Sequence, residues 1–176
     1  DCLIMLLLVL ACKNGNVRNV HALIQEVADI NAKNSNGTTP LMFASMNGHV
    51  NVVFALLDAG ADMEVVDNIG ETALVKACFH GRREVVQMLL RAGANKDAVN
   101  NNGATALMCA SENGFPTVVQ MLLHAGADKD VKDNDGNTAL IFAIMFTNIV
   151  GNDSITAHTE VVRILLVAGA DKDAVD

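Results

Sequence analysis

Five histidines, four cysteines and two pairs of neighbouring aspartates are the residues of this 176-residue chain whose types suit chemistry. Histidine and cysteine hold zinc when they fall at short, regular spacings. His21, His49, His80, His124 and His158 show no such spacing, and neither do Cys2, Cys12, Cys78 and Cys109. A nucleophile or a phosphate cradle needs its own frame. The chain has no HExxH, G-x-S-x-G or Walker loop, and no GxGxxG between a strand and a helix. Asp128/Asp130 and Asp133/Asp135 are the chemistry of calcium or of general acid–base pairs. They sit in turns, however, where solvated carboxylates are ordinary. The histidines therefore read as surface or turn residues and the chain as no enzyme, with no catalytic residue, cofactor or metal.

The elements that carry these residues are copies of one stretch, Asn34 to Val66, reading NSNGTTPLMFASMNGHVNVVFALLDAGADMEVV. Gly37 recurs as Gly70, Gly103 and Gly136, and Thr39 as Thr72, Thr105 and Thr138. Leu41 recurs as Leu74, Leu107 and Leu140, and Ala44 as Ala77, Ala110 and Ala143. Gly60-Ala61 returns as Gly93-Ala94, Gly126-Ala127 and Gly169-Ala170. A period of about 33 residues is that of a helix-pair solenoid, in which each unit touches only its neighbours.

Within the unit, Asn36-Gly37 is a turn signal, Thr39 an N-cap, and Pro40 sits where a missing N–H costs nothing. The first helix runs through Leu41 and Ala44 to a stop at Gly48; a second runs through Val52, Val53, Leu56 and Leu57 to Gly60. Helices of about nine residues are unstable alone, so stacking must hold them. The 51% hydrophobic share with only 3% aromatic fits thin layers of small side chains. A formal charge of −8 argues against nucleic acid and against an anionic membrane surface. Cys78 and Cys109 fall on apolar helical runs, as free reduced thiols of a cytoplasmic protein do.

The stretch NGTTPLMFASMNGHVNVVFALLDAGAD resembles an ankyrin repeat, whose pattern is D-x-x-G-x-T-P-L-x-x-A-x-x-x-G-H followed by V-V-x-x-L-L-x-x-G-A-D. Units 34–66, 67–99 and 100–132 follow that pattern closely; 1–33 is a degenerate first repeat and 133–176 a looser last one without a clear C-terminal cap. The resemblance implies an α fold: an ankyrin-type helix-pair solenoid with β-hairpin-like turns and about five stacked repeats. Pro40 becomes Ala73, Ala106 and Ala139, and the family histidine is replaced by Met42, Val75, Met108 and Ile141. Hydrogen bonding between repeats is therefore expected to be weaker, or to come from the threonines. Asn31 resembles a turn asparagine that is hydroxylated in some ankyrin proteins, but reads first as structural.

Three features depart from the repeat. Leu3 to Leu10 is an unbroken apolar run, with Leu8 and Ala11 one period before Leu41 and Ala44, which makes it a repeat helix too short to span a bilayer. The alternative reading of Val9-Leu10-Ala11-Cys12 is a lipoprotein signal, giving an exported, periplasmic or Cys12-anchored bacterial repeat protein. As a helix, the run offers an apolar surface for self-association or for packing on further repeats. Val27 stands where later units have a capping glycine, so the second helix of the first repeat should end differently. The last unit carries about ten extra residues within 146–158, read as a loop inserted between its helices.

By resemblance, the protein is a non-catalytic protein-binding scaffold whose partner docks on the concave face built from turn tips and first helices. The tips supply Val66, Ile69, Glu71, Val99, Asn102 and Asp135; the first helices supply Met46, Phe79, His80, Glu112, Asn113, Met145 and Phe146. Ile69, Phe79, Met145 and Phe146 are the informative members, being large and apolar where the fold asks for nothing apolar. The alternative within the same resemblance is the recognition arm of a larger enzyme or effector.

Overall fold

The computed structural model describes residues 2–26, 29–147 and 152–171. They form ten helices in five pairs: α1 Cys2–Lys13 and α2 Val17–Glu26; α3 Pro40–Asn47 and α4 Val50–Asp58; α5 Ala73–Phe79 and α6 Arg83–Arg91; α7 Ala106–Glu112 and α8 Pro116–His124; α9 Ala139–Thr147 and α10 Asn152–Val167. First helices stack in the order α1, α3, α5, α7, α9, and second helices in the order α2, α4, α6, α8, α10. One continuous apolar core runs the length of the stack between the two rows.

Local chemistry starts and stops each helix. The hydroxyls of Thr39, Thr72 and Thr105 accept the N–H of Met42, Val75 and Met108 at 3.3 Å, the first-turn bond that an N-cap supplies. At the far end of the second helices, Ala61, Ala94 and Ala127 donate back to Leu56, Leu89 and Leu122, closing the last turn. Burial then supplies what the short helices lack. Leu56, Leu89, Leu122 and Leu165 have no exposed surface, and Leu41, Leu74, Leu107 and Leu140 almost none.

The turns between units are hairpin-like, as expected. Asp67 N–H donates to the Glu71 carbonyl at 3.1 Å, and its carboxylate accepts the N–H groups of Ile69 and Glu71. Asn34, Asn100 and Asp133 make the same bonds in the other turns. Among the described residues the pairing reaches a β-bridge once, at Val99 and Thr105.

Hydrogen bonds between units differ from the expectation. The threonine hydroxyls remain inside their own units, and asparagines tie the stack. Asn68, Asn101 and Asn134 each donate a backbone N–H to the preceding tip (to Asn36, Ile69 and Asn102), at 3.0–3.1 Å. The same three donate side-chain Nδ2 to Ser35, Asn68 and Asn101 at 3.0 Å. A second row uses Asn31, Glu64, Asp97 and Asp130, whose side chains accept the N–H of Asp62, Asn95, Asp128 and Asp171. Asn31 thus has a structural role.

A third row corrects the reading of two histidines. The corner glycine between the helices of a pair lies under a side chain of the next pair: Gly15 under His49, Gly48 under Arg82, Gly81 under Phe115 and Gly114 under His158. At Gly81, where φ is +63°, an added Cβ would lie 2.8 Å from the Phe115 ring. His49, Arg82 and His158 also donate to the carbonyls of Lys13, Met46 and Glu112, each at 2.9 Å. His49 and His158 are therefore ties between units, and His158 is buried.

That register locates the insertion. The covering residues at 49, 82 and 115 are 33 apart, whereas 115 to 158 is 43, so the ten extra residues precede His158. They were expected as a loop, yet α10 begins at Asn152 and has 16 residues against nine in α4, α6 and α8. From 152 onward the surplus is an N-terminal extension of the second helix. The place of Val27 in ending α2 lies outside the described residues.

Candidate protein-binding face

The tips and first helices form one face. Its frame is set by the asparagine ladder, which brings successive tips together, and by the α3–α5–α7–α9 stack, which brings successive first helices together. At the tips, Val66, Ile69 and Val99 are exposed, with Ile69 more than half so; Asn102 and Asp135 are exposed beside them. The Ile69 carbonyl receives Asn101 N–H, so the second and third tips lie against one another. Lys33, on the preceding unit, donates Nζ to the Val66 carbonyl at 2.8 Å.

On the first helices, Phe79 and Met145 are 41% and 49% exposed, and Met46, His80, Glu112, Asn113 and Phe146 are half-buried. Several of these are held locally. His80 Nδ1 donates to the Lys76 carbonyl at 2.9 Å, and its ring meets Phe79 edge-on with centroids 5.2 Å apart. Asn113 Nδ2 donates to the Cys109 carbonyl at 2.9 Å, turning Asn113 inward.

Glu71 belongs to a cluster that sequence reasoning missed. Lys76 Nζ lies 2.7 Å from the Asp67 carboxylate and pairs with Glu71 as well; the three side chains are nearly buried. Burial draws the Asp67 carboxyl up, but the Lys76 hydrogen bond, the N–H groups of Glu71 and Ile69, and the Lys76 charge outweigh it, leaving it below the ordinary 3.8. Lys76 mirrors this. Burial pulls it down, and its hydrogen bonds and charge pairing with Asp67 and Glu71 hold it above 10.5. The available signal was an odd residue in an apolar register: Lys76 stands where neighbouring units have Phe43, Cys109 and Phe142.

Other features lie off this face. Cys12, Cys78 and Cys109 are buried free thiols, and burial pushes Cys12 up to about 12. Acylating Cys12 would require its packing to be given up, and a cut before it would take Leu8, Val9 and Ala11 from the core. Leu3, Leu6, Leu7 and Leu10 are exposed on α1. Shallow hollows of about 400 and 470 Å³ lie between second helices, at α8/α10 and α6/α8. Among the described residues no group of three or more His, Cys, Asp or Glu could hold a metal ion, and no helix is long and apolar enough to cross a membrane.

Paired short helices, hairpin-like tips and a bonded ladder between units define an α-solenoid of the helix-pair class. Three overlapping stretches, residues 8–100, 52–133 and 90–176, match the family described as Ankyrin repeats (3 copies), and the chain belongs to that family. Ankyrin repeats are generally protein–protein interaction modules and typically non-catalytic. No curated protein matches the chain.

Proposed function

We propose that the chain is a protein-binding scaffold of five units, 1–33, 34–66, 67–99, 100–132 and 133–176, and that its partner docks on the face of tips and first helices. One observation carries this reading: the large apolar groups at Ile69, Phe79, Val99 and Met145 are exposed in successive tips and first helices, whereas the other exposed large apolar groups among the described residues, apart from Val66 beside them, lie on α1, α4 and α10. Exposed apolar groups ringed by polar tips are what an interface hot spot requires. Met46, Val66, Glu71, His80, Asn102, Glu112, Asn113, Asp135 and Phe146 complete the surface, with Glu71 fixed through Lys76 and Asn113 through Cys109.

The test uses the whole chain as bait, in wild-type form and as the Phe79→Ala/Phe146→Ala double variant. A partner retained by the wild type and lost by a variant that melts cooperatively supports this face. A partner held equally by both would move the binding surface elsewhere.

A further inference from the structure

Glu112 is the one acidic residue in its register. The same place in the other units holds Lys13, Met46, Phe79 and Met145. Because α7 packs between α5 and α9, Glu112 stands in the row between Phe79 and Met145, the exposed large apolar groups of α5 and α9. It is half-buried, and burial alone lifts its carboxyl above the ordinary carboxylate value. It also closes α7, at the end of a helix where unpaired carbonyls disfavour an anion. A methionine, as in two of the other units, would avoid both costs, so the fold has no use for a carboxylate here.

No neighbouring element among the described residues neutralises it. On α5, Lys76 is taken up by Asp67 and Glu71, and His80 Nδ1 is turned to the Lys76 carbonyl. α9 carries no charged residue, and the only ionisable group of α8, His124, lies at its far end. From α10, His158 Nε2 goes to the backbone carbonyl of Glu112 and leaves the carboxylate alone.

We propose that Glu112 anchors a cationic side chain, lysine or arginine, of the protein partner, with the stem of that side chain laid across Phe79 and Met145. The head would gain a charge-assisted hydrogen bond, the stem apolar contact, and a guanidinium or ammonium the face of a phenylalanine ring. The net charge of −8 favours the encounter with such a partner. This rests on the tips and first helices being the binding face.

A random peptide library displayed on phage, panned on the purified whole chain, tests both levels. Peptides carrying lysine or arginine beside an apolar residue should be enriched. Made synthetically, they should bind Glu112→Gln at least about tenfold more weakly, while the melting temperature of that variant stays level or rises. Enriched peptides without a cationic residue, or ones that bind Glu112→Gln as well as the wild type, overturn the anchor. If such peptides still weaken on Phe79→Ala, the binding face stands. If they ignore both substitutions, or if nothing is enriched, both readings fall. A lowered melting temperature in Glu112→Gln would overturn the anchor by assigning the carboxylate to the fold.

Discussion

Two rows of the same solenoid behave in opposite ways. In the row Leu56, Leu89, Leu122, Leu165 one residue type recurs in four successive pairs and is wholly buried each time. In the row Met46, Phe79, Glu112, Met145 the type changes from pair to pair and the side chains reach solvent. Both rows repeat the same backbone, so geometry does not account for the difference. The packed row must satisfy a near-identical neighbour, which tolerates one shape; the open row has no neighbour within the chain to satisfy. A chain made of copies thus contains its own control experiment. Registers that refuse to vary belong to the fold, and a register that varies while its side chains make no tie to the next unit is free for recognition.

The largest expected effect lies in the invariant row. Leu89→Ala should cost about 2–5 kcal/mol in denaturant melts, the range for truncating a fully buried leucine. A loss below about 1 kcal/mol would break the comparison at its packed end. Next comes Lys76→Met, which should cost about 2 kcal/mol at neutral pH by leaving Asp67 and Glu71 together without a cation. Its pH dependence has a definite sign. Asp67 titrates below 3.8 in the fold, so its contribution is full above that value and is lost as pH falls through the folded pKa. Lys76 titrates above 10.5, so its contribution is full below that value and is lost as pH rises through the folded pKa. In the variant only the N–H groups of Glu71 and Ile69 still oppose the burial of Asp67, so its carboxyl rises relative to the wild type and the gap should narrow toward about pH 4. A gap in urea midpoint that is constant between pH 7 and pH 4 would show the cluster contributes packing rather than charge.

A smaller effect isolates the ladder. Gly70 and Gly136 occupy the same tip register with φ of +81° and +86°, so alanine strains both backbones alike. At Gly70 the new Cβ would also lie 2.7 Å from the Asn101 backbone nitrogen, whereas at Gly136 nothing among the described residues lies within 4 Å. Gly70→Ala should therefore exceed Gly136→Ala by about 1 kcal/mol, the worth of a displaced hydrogen-bonded rung. Equal losses in parallel thermal melts would mean the tips contribute nothing to stacking.

What could be read from the sequence follows the same division. The leucine, alanine, threonine and glycine registers were legible because each repeats one residue for one physical reason. The covering register was not. His49, Arg82, Phe115 and His158 share no chemistry, and their common task over the preceding corner glycine exists only in space. Lys76 was passed over because its carboxylates are five and nine residues back, on the turn, where no helical periodicity points. The α10 extension read as a loop since a broken period looks the same whether the added residues coil or wind. The ladder was not legible because Asn68, Asn101 and Asn134 stand in turns, where asparagine is ordinary, and their bonds to the preceding tip exist only across units.

The smallest stability effect should accompany one of the largest effects on binding, and Phe79→Ala is the variant that separates the two. Phe79 ends α5 with 41% of its surface open, and its ring contact is with its own neighbour His80 rather than with the core. Truncating it leaves no closed cavity, so the loss in denaturant melts should stay within about 0.5 kcal/mol, as for surface substitutions generally. Partner affinity should fall by about tenfold or more if the ring anchors the interface. Leu89→Ala, read in the same two assays, should lower stability severalfold more and affect affinity only through the fraction unfolded. Should Phe79→Ala melt as low as Leu89→Ala, the ring is part of the core. The open row would then be a packed row in disguise, and the rule that variable registers without ties to the next unit are free for recognition would fail where it was best supported.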